Sequence, residues 1–303
     1  MTAGNPPRTV VPGEARDDDR DRSDELIDRH RRTRRTVRVR EACLRAGVFV
    51  VLIGVWWVIT RLGLVKPLFL PSPGAVWDAF VGANTCNPIS EGSQRTVCGA
   101  QNYYLWEHLV ASLQRMAVGV VAAVVVGIVV GFLLGTVDWL NTAFEPYLNF
   151  VRSIPPLAYI GLLIVWFGIN DTSKYWLLFL AAFPPIAIGT IDGIRGIRQD
   201  RFHAARSMGA SRWQLASEVV LPSSLPAIIS GTRIGIGFAW TTVVAAELNN
   251  GIPGIGGLAF TSGTQLNTPL VIACIIVIGL AALVLDAAVV RLGRVLVPWQ
   301  GKA

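Results

Sequence analysis

An all-α membrane protein with six transmembrane helices is what the sequence predicts, on three observations. Apolar segments of about 20 residues, the length a helix needs to cross a bilayer, recur along the chain. Of the 303 residues, 52% are hydrophobic and only 16% charged, with mean hydropathy +0.50; soluble domains do not have this composition. The basic residues lie beside the apolar segments. The net charge of +7 therefore reads as the positive-inside pattern rather than as a nucleic-acid footprint.

Residues 1–42 come first and are polar: Pro6, Pro7 and Pro12 precede the mixed-charge run DDDRDRSDELIDRHRRTRR. Such a segment cannot bury enough apolar surface to fold alone, so a disordered tail is expected. The acidic run and the missing apolar stretch exclude a signal peptide. Arg31 to Arg45 should hold this end in the cytoplasm. Residues 43–303 then form one membrane domain. Its first span is Ala46–Leu64, with Trp56 and Trp57. A long outer loop over about 66–115 follows, in which Ser72 and Pro73 can open a short helix. The polar insert Asn84–Ala100 carries Cys86 and Cys98, which can form a disulfide in an oxidising compartment. Spacing alone leaves open whether their Cβ atoms meet. Tyr103–Met116 reads as an amphipathic helix leading into the membrane.

The second span, Ala117–Gly135, carries Gly119, Ala123, Gly127, Gly131 and Gly135, a flat stripe on which another helix can pack closely. The third span is Pro155–Gly168, after Arg152 and the Pro155–Pro156 pair. A polar turn, Asn170–Lys174, leads to the fourth, Tyr175–Ile191, which Pro184 and Pro185 should break or kink. The fifth, Leu225–Leu248, repeats the small-residue spacing at Ala227, Gly231, Gly235 and Ala239. The Gly-rich outer loop NNGIPGIGG connects to the sixth, Leu270–Val290, and Arg291, Arg294 and Lys302 close the chain on the inside. Six spans with both ends cytoplasmic satisfy every charge cluster.

Between spans four and five lies a polar island, about 194–223, whose core reads HAARSMGASRWQLASEVVLP from His203 to Pro222. Its pattern is helix, break, helix. Ala204, Ala205, Ser207 and Met208 favour a helix, and Gly209 can take the left-handed turn that ends one. Ser211 can cap a second helix through Trp213, Leu215, Ala216 and Val219, until Pro222 stops it. In a soluble basic protein the same stretch would suggest a DNA-binding helix-turn-helix. Between two membrane spans, with Arg195, Arg198, Arg201, Arg206 and Arg212 voting for the cytoplasm, it is a docking element.

This stretch resembles the cytoplasmic coupling loop of permease subunits of bacterial ATP-binding-cassette importers, written Glu-Ala-Ala, three residues, Gly, nine residues, Ile, one residue, Leu-Pro. Ala204, Ala205, Gly209, Val219 (at the Ile position), Leu221 and Pro222 are in register; His203 replaces the Glu. The resemblance implies that the loop sits in a groove of an ATPase subunit, with Ala205, Gly209 and Trp213 at the docking face. Within the importers, LPSPGAVWDAF, LWEHLVASLQRM, RSIPPLAYIGLLIVWFGI, GTRIGIGFAWTTVVAAEL and the ending VPWQGKA resemble the branch that carries taurine, alkanesulfonates and nitrate. The last two stretches are most similar to its taurine permeases.

A bacterial plasma-membrane permease is thus implied, with a second copy of itself, two ATPases, an extracytoplasmic solute-binding protein and membrane lipid as partners, and no nucleic acid. The solute would be taurine or another sulfonate, with nitrate or a vitamin precursor as alternatives. A secondary transporter or channel acting alone is the rival class; it should show two similar halves, and none is visible. No Gly-x-x-x-x-Gly-Lys-Ser/Thr occurs, so ATP and Mg would be bound by the partner ATPase and no cofactor by this chain. Three His and four Cys have no metal-ligand spacing, and no Ser-His-Asp or paired-carboxylate arrangement points to a catalyst. Ionisable residues inside spans mark a pathway or a pairing partner. These are Arg233, deep in the fifth span, Glu247 at its outer end, and Asp286 near the inner end of the sixth. Arg233 and Glu247, with Trp240 and Thr241, are the candidate substrate pathway.

Overall fold

The computed structural model describes residues 40–41, 43–88 and 96–298; the tail expected over 1–42 lies almost wholly outside them, as do Lys302 and the chain's end. The chain divides into two units, residues 1–65 and 66–303. The first contains α1, Cys43–Arg61, whose 19 apolar-rich residues are enough to cross a membrane.

The second unit opens with α2, Pro73–Gly82, capped as its sequence predicts: the Ala75 N–H donates to Ser72 Oγ at 3.2 Å, with Pro73 in the first turn. A small antiparallel ribbon follows, β1 (Cys86–Pro88) and β2 (Thr96–Cys98), with Cys86 opposite Cys98 and the two joined in a disulfide. The Tyr104 hydroxyl donates to the Cys86 sulfur. Then comes α3, Leu105–Thr136, 32 residues without a break. The segment read as a leading amphipathic helix and the second span are one helix, because no Gly, Pro or cap residue separates Met116 from Ala117. At about 48 Å it overreaches the hydrocarbon core, so its first turns stand outside.

The third span differs from expectation. Helix α4, Asp138–Ser153, is followed by a 3₁₀ turn, Pro156–Tyr159, and the eight-residue α5, Ile160–Phe167. The two halves meet at 93°, bent where the Pro155–Pro156 pair can neither donate nor continue the helix. Helix α6, Asp171–Arg195, by contrast continues unbroken through Pro184 and Pro185. Both prolines are buried between neighbouring helices, where surrounding protein tolerates the missing donors.

Helix α6 is the centre of the bundle. The small-residue stripe of α3 lies on it: a Cβ added at Gly119 would come 2.6 Å from Leu178 Cβ, and one at Gly131 would come 2.6 Å from Thr190 Cβ. On its other side, a Cβ on Gly189 would come 2.8 Å from Gly231 Cα. Gly231 belongs to α9, Leu221–Ala246. Lipid tails are as apolar as these side chains, so close backbone approach and van der Waals packing hold the bundle. Between α6 and α9 come α7, Gln199–Ser207, and the short α8, Arg212–Gln214, which leads through a π-helical turn, Leu215–Val220, into α9. After α9 the loop read as NNGIPGIGG passes into a helix that the sequence did not suggest, α10, Ile255–Thr264; α11, Thr268–Leu296, completes the described chain. Among the described residues five helices are long and apolar enough to cross a membrane, and a sixth span exists if the bent pair of α4 and α5 is counted as one.

Candidate functional site: the docking element and the charged clusters

The polar island forms two short helices at a left-handed corner. Helix α7 ends in a Schellman turn: Ala210 N–H donates to Ala205 O at 3.1 Å, Gly209 N–H donates to Arg206 O at 3.0 Å, and Gly209 has φ +82°. These two bonds satisfy carbonyls that the helix end would otherwise orphan. Ser211 then starts the next helix with a capping box, accepting from Gln214 N–H at 3.3 Å while its own N–H donates to Gln214 Oε1 at 2.9 Å. The sequence anticipates both devices.

The path of the chain beyond them departs from expectation. Pro222 does not stop the second helix; the chain continues unbroken from Arg212 to Ala246. The π turn makes this possible. Leu221 N–H donates to Ala216 O, five residues back rather than four, and the widened turn gives the Pro222 ring room where an α turn would press it against the preceding carbonyl. The second half of the polar island is therefore continuous with span α9.

Exposure divides the predicted docking residues. His203, Ala204, Gly209, Trp213 and Leu221 are exposed, Trp213 at 80%; nothing lies within 4 Å of a Cβ added at Gly209. Met208, beside the corner, is 82% exposed. Pro222 is half-buried, and Ala205, expected at the docking face, is buried inside this chain. Its small size serves the contact of α7 with its own bundle. Beneath the corner Ile194, Ile197 and Val220 form an apolar cluster with Phe202 of α7 and Phe132 of α3. Arg201 Nη1 adds a bond to Ser223 Oγ at 3.3 Å. The corner is thus fastened to α3, α6 and α9 together, while its apolar tip faces outward.

The three charges that the sequence places inside spans, Arg233, Glu247 and Asp286, fall into two separate clusters. Arg233 of α9 grips Asp286 of α11 with two prongs, Nε to Oδ1 at 2.7 Å and Nη2 to Oδ2 at 2.9 Å. Glu247, at the other end of α9, is 1% exposed. It accepts from Ser112 Oγ at 2.7 Å, Arg115 Nη1 at 2.8 Å and Gly256 N at 2.9 Å. Arg115 also donates to Asp171 Oδ1 at 2.9 Å and to Pro253 O at 2.7 Å; Lys174 Nζ joins Asp171 at 2.8 Å. His108 completes the set: Gly254 N–H donates to its Nδ1 at 3.0 Å, which makes Nε2 the protonated nitrogen that donates to Ala100 O at 3.0 Å. Two cations and two anions cancel, and α3, α6, α9 and α10 are tied at one end. Trp240 packs into the core with Met116 and Leu178. Thr241 beside it is exposed, its hydroxyl bonded to Phe238 O at 2.9 Å. The four candidate pathway residues are not gathered around one opening.

Residues 123–301 match the family described as binding-protein-dependent transport system inner membrane component. The chain belongs to that family. It is the permease subunit of an ATP-binding-cassette importer. The permease is 39% identical to the taurine transport system permease protein TauC of Escherichia coli (strain K12), over 87% of this chain and 92% of that one. It is 32% identical to the putative aliphatic sulfonates transport permease protein SsuC of Bacillus subtilis (strain 168), over 82% and 85%. Its fold resembles the MetNI methionine ABC transporter in inward-facing conformations, with TM-score 0.51 at 22% identity, over 63% of the permease and 94% of that chain.

In this permease, sequence reasoning missed Arg115, His108 and Ser112, although a signal was present. Spaced four and three apart, they share one face of a helix in the stretch read as amphipathic. Their partners lie up to 146 residues away, a distance over which a single sequence gives no pairing information.

Proposed function

We propose that this permease forms half of a transmembrane passage for taurine or another small sulfonate, driven by alternating access. Two copies would make the passage, with two ATPases beneath, each holding its own ATP and Mg, and a solute-binding protein delivering cargo from outside. The observation that carries this reading is the continuous helical path from Arg212 to Ala246, with Trp213 and Met208 exposed at its corner. An ATPase surface that seats Trp213 and approaches the bare backbone at Gly209 gains a stiff handle on α9. Motion at the corner then moves the whole span, because the apolar cluster under α7 prevents the corner from swinging independently. The substrate class is supported by the similarity to TauC and SsuC. The docking face in this reading is His203, Ala204, Met208, Gly209, Trp213 and Leu221, with Ala205 and Pro222 supporting it from inside.

The reading is tested by uptake of labelled taurine, an alkanesulfonate and nitrate in cells from which the gene is removed and then restored. Loss of sulfonate uptake that returns with the gene is the expected result. Selective loss of nitrate uptake would keep the importer and refute the sulfonate.

A further inference from the structure

A charged side chain inside a bilayer is expensive unless it is paired or faces a water-filled path. Arg115, Asp171, Lys174, Glu247, Arg233 and Asp286 are all paired. Arg152, in the last turn of α4, and Asp192, in the last turn of α6, are exposed in the single chain and have no side-chain hydrogen bond or ion pair among the described residues. Both line a single cavity of about 650 Å³ bounded by α4, α6 and α9, with Ser153 and Ser230 as further polar groups. The close contact of Gly189 with Gly231 forms part of its wall, so no side chain from these positions fills the space. Arg152 also borders a small cleft with Pro184, Pro185 and Phe238, which sets it beside the middle of α6. Asp192 lies about 10 Å further along the α6 axis, toward the docking element.

We propose that Arg152 is the solute's anion contact in the passage, and that Asp192, nearer the cytoplasmic end, faces an ammonium group on the same solute. The pair suits a zwitterionic sulfonate: a guanidinium matches the oxygens of an anionic head group with two parallel donors, and the carboxylate attracts a positive tail. This assignment rests on the importer reading above and adds to it the residues that select the cargo. It also moves the pathway off Arg233 and Glu247, whose charges are already spent on Asp286 and Arg115.

The test uses the complete transporter in proteoliposomes with its binding protein outside, and measures initial uptake of taurine and of an amine-free alkanesulfonate. Co-purification with the ATPase reports assembly. Arg152→Gln should lower uptake of both solutes by about tenfold or more, and Arg152→Lys, which keeps a charge without the fork, should fall between. Asp192→Asn should lower taurine uptake by about tenfold and leave the alkanesulfonate within about twofold. A merely structural role would not produce that split. Uptake of both solutes within about twofold of the unsubstituted complex in Arg152→Gln, or equal losses of both in Asp192→Asn, would overturn the assignment. Should Arg152→Gln fail to assemble, the Asp192→Asn split decides alone. If the unsubstituted complex carries neither sulfonate, the importer reading itself falls, an outcome distinct from the other two.

Discussion

Glu247 shows how much a single residue can organise. Its carboxylate is closed off from solvent and meets Ser112, Arg115 and the Gly256 amide, so its removal would strand several donors at once. A buried pair that loses one partner costs about 3–5 kcal/mol, because the remaining charge is left uncompensated. We expect Glu247→Ala to lower the thermal midpoint of the purified permease in detergent sharply and to cut its folded yield. Glu247→Gln keeps the shape and one carbonyl acceptor, and should fall in between. A midpoint for Glu247→Ala equal to that of the unsubstituted protein would show that the network contributes no stability. The same residue shows a limit of sequence reading. A carboxylate at the end of an apolar span marks importance, but its meaning depends on Arg115, 132 residues earlier.

At the scale of elements, the helix–corner–helix of the polar island was largely legible and its continuation was not. Gly209 and Ser211 act locally, through a left-handed φ and a cap that needs only the next three residues, so their roles can be read in one dimension. Pro222 acts through the register of the turn before it: in an α turn it ends a helix, in the π turn of Leu215–Val220 it does not. Helix α10 was hidden for a related reason. Its sequence, IGGLAFTSGT, has poor helix propensity, and burial of Ile255 and Leu258 against α11 and α3 residues overrides it. The corner carries its own prediction. Gly209→Ala places a Cβ on a left-handed residue at a cost of about 1–2 kcal/mol, in open space, and should leave the ATPase bound. Gly209→Trp adds bulk where the proposed docking would bring the ATPase close. It should either lose the ATPase on co-purification or raise the ATP hydrolysed per solute imported. Normal binding and a normal ratio in Gly209→Trp would remove Gly209 from the docking face.

At the scale of the whole molecule, the bilayer explains why the spans were legible and why their connections were less so. Apolar length is demanded of every crossing helix, which makes α3, α6, α9 and α11 visible, whereas the 93° bend after α4 depends on what packs around it. The basic residues also predict which end is which. Arg195, Arg198, Arg201, Arg206 and Arg212 crowd one end of α6 and α9, which we expect to be the cytoplasmic end, and the Cys86–Cys98 bond would then lie toward an oxidising compartment, where it can persist. This orientation can be measured with a membrane-impermeant maleimide once the exposed Cys43 has been replaced by serine. A cysteine at Ser211, in the docking corner, should label only in inside-out vesicles. One at Gln265, exposed just beyond α10, should label only in right-side-out vesicles. Buried Cys274 should label in neither. The reverse pattern would put the docking element outside the cell, away from ATP, and with it would go the coupling of the Arg212–Ala246 helix to any nucleotide-driven motion.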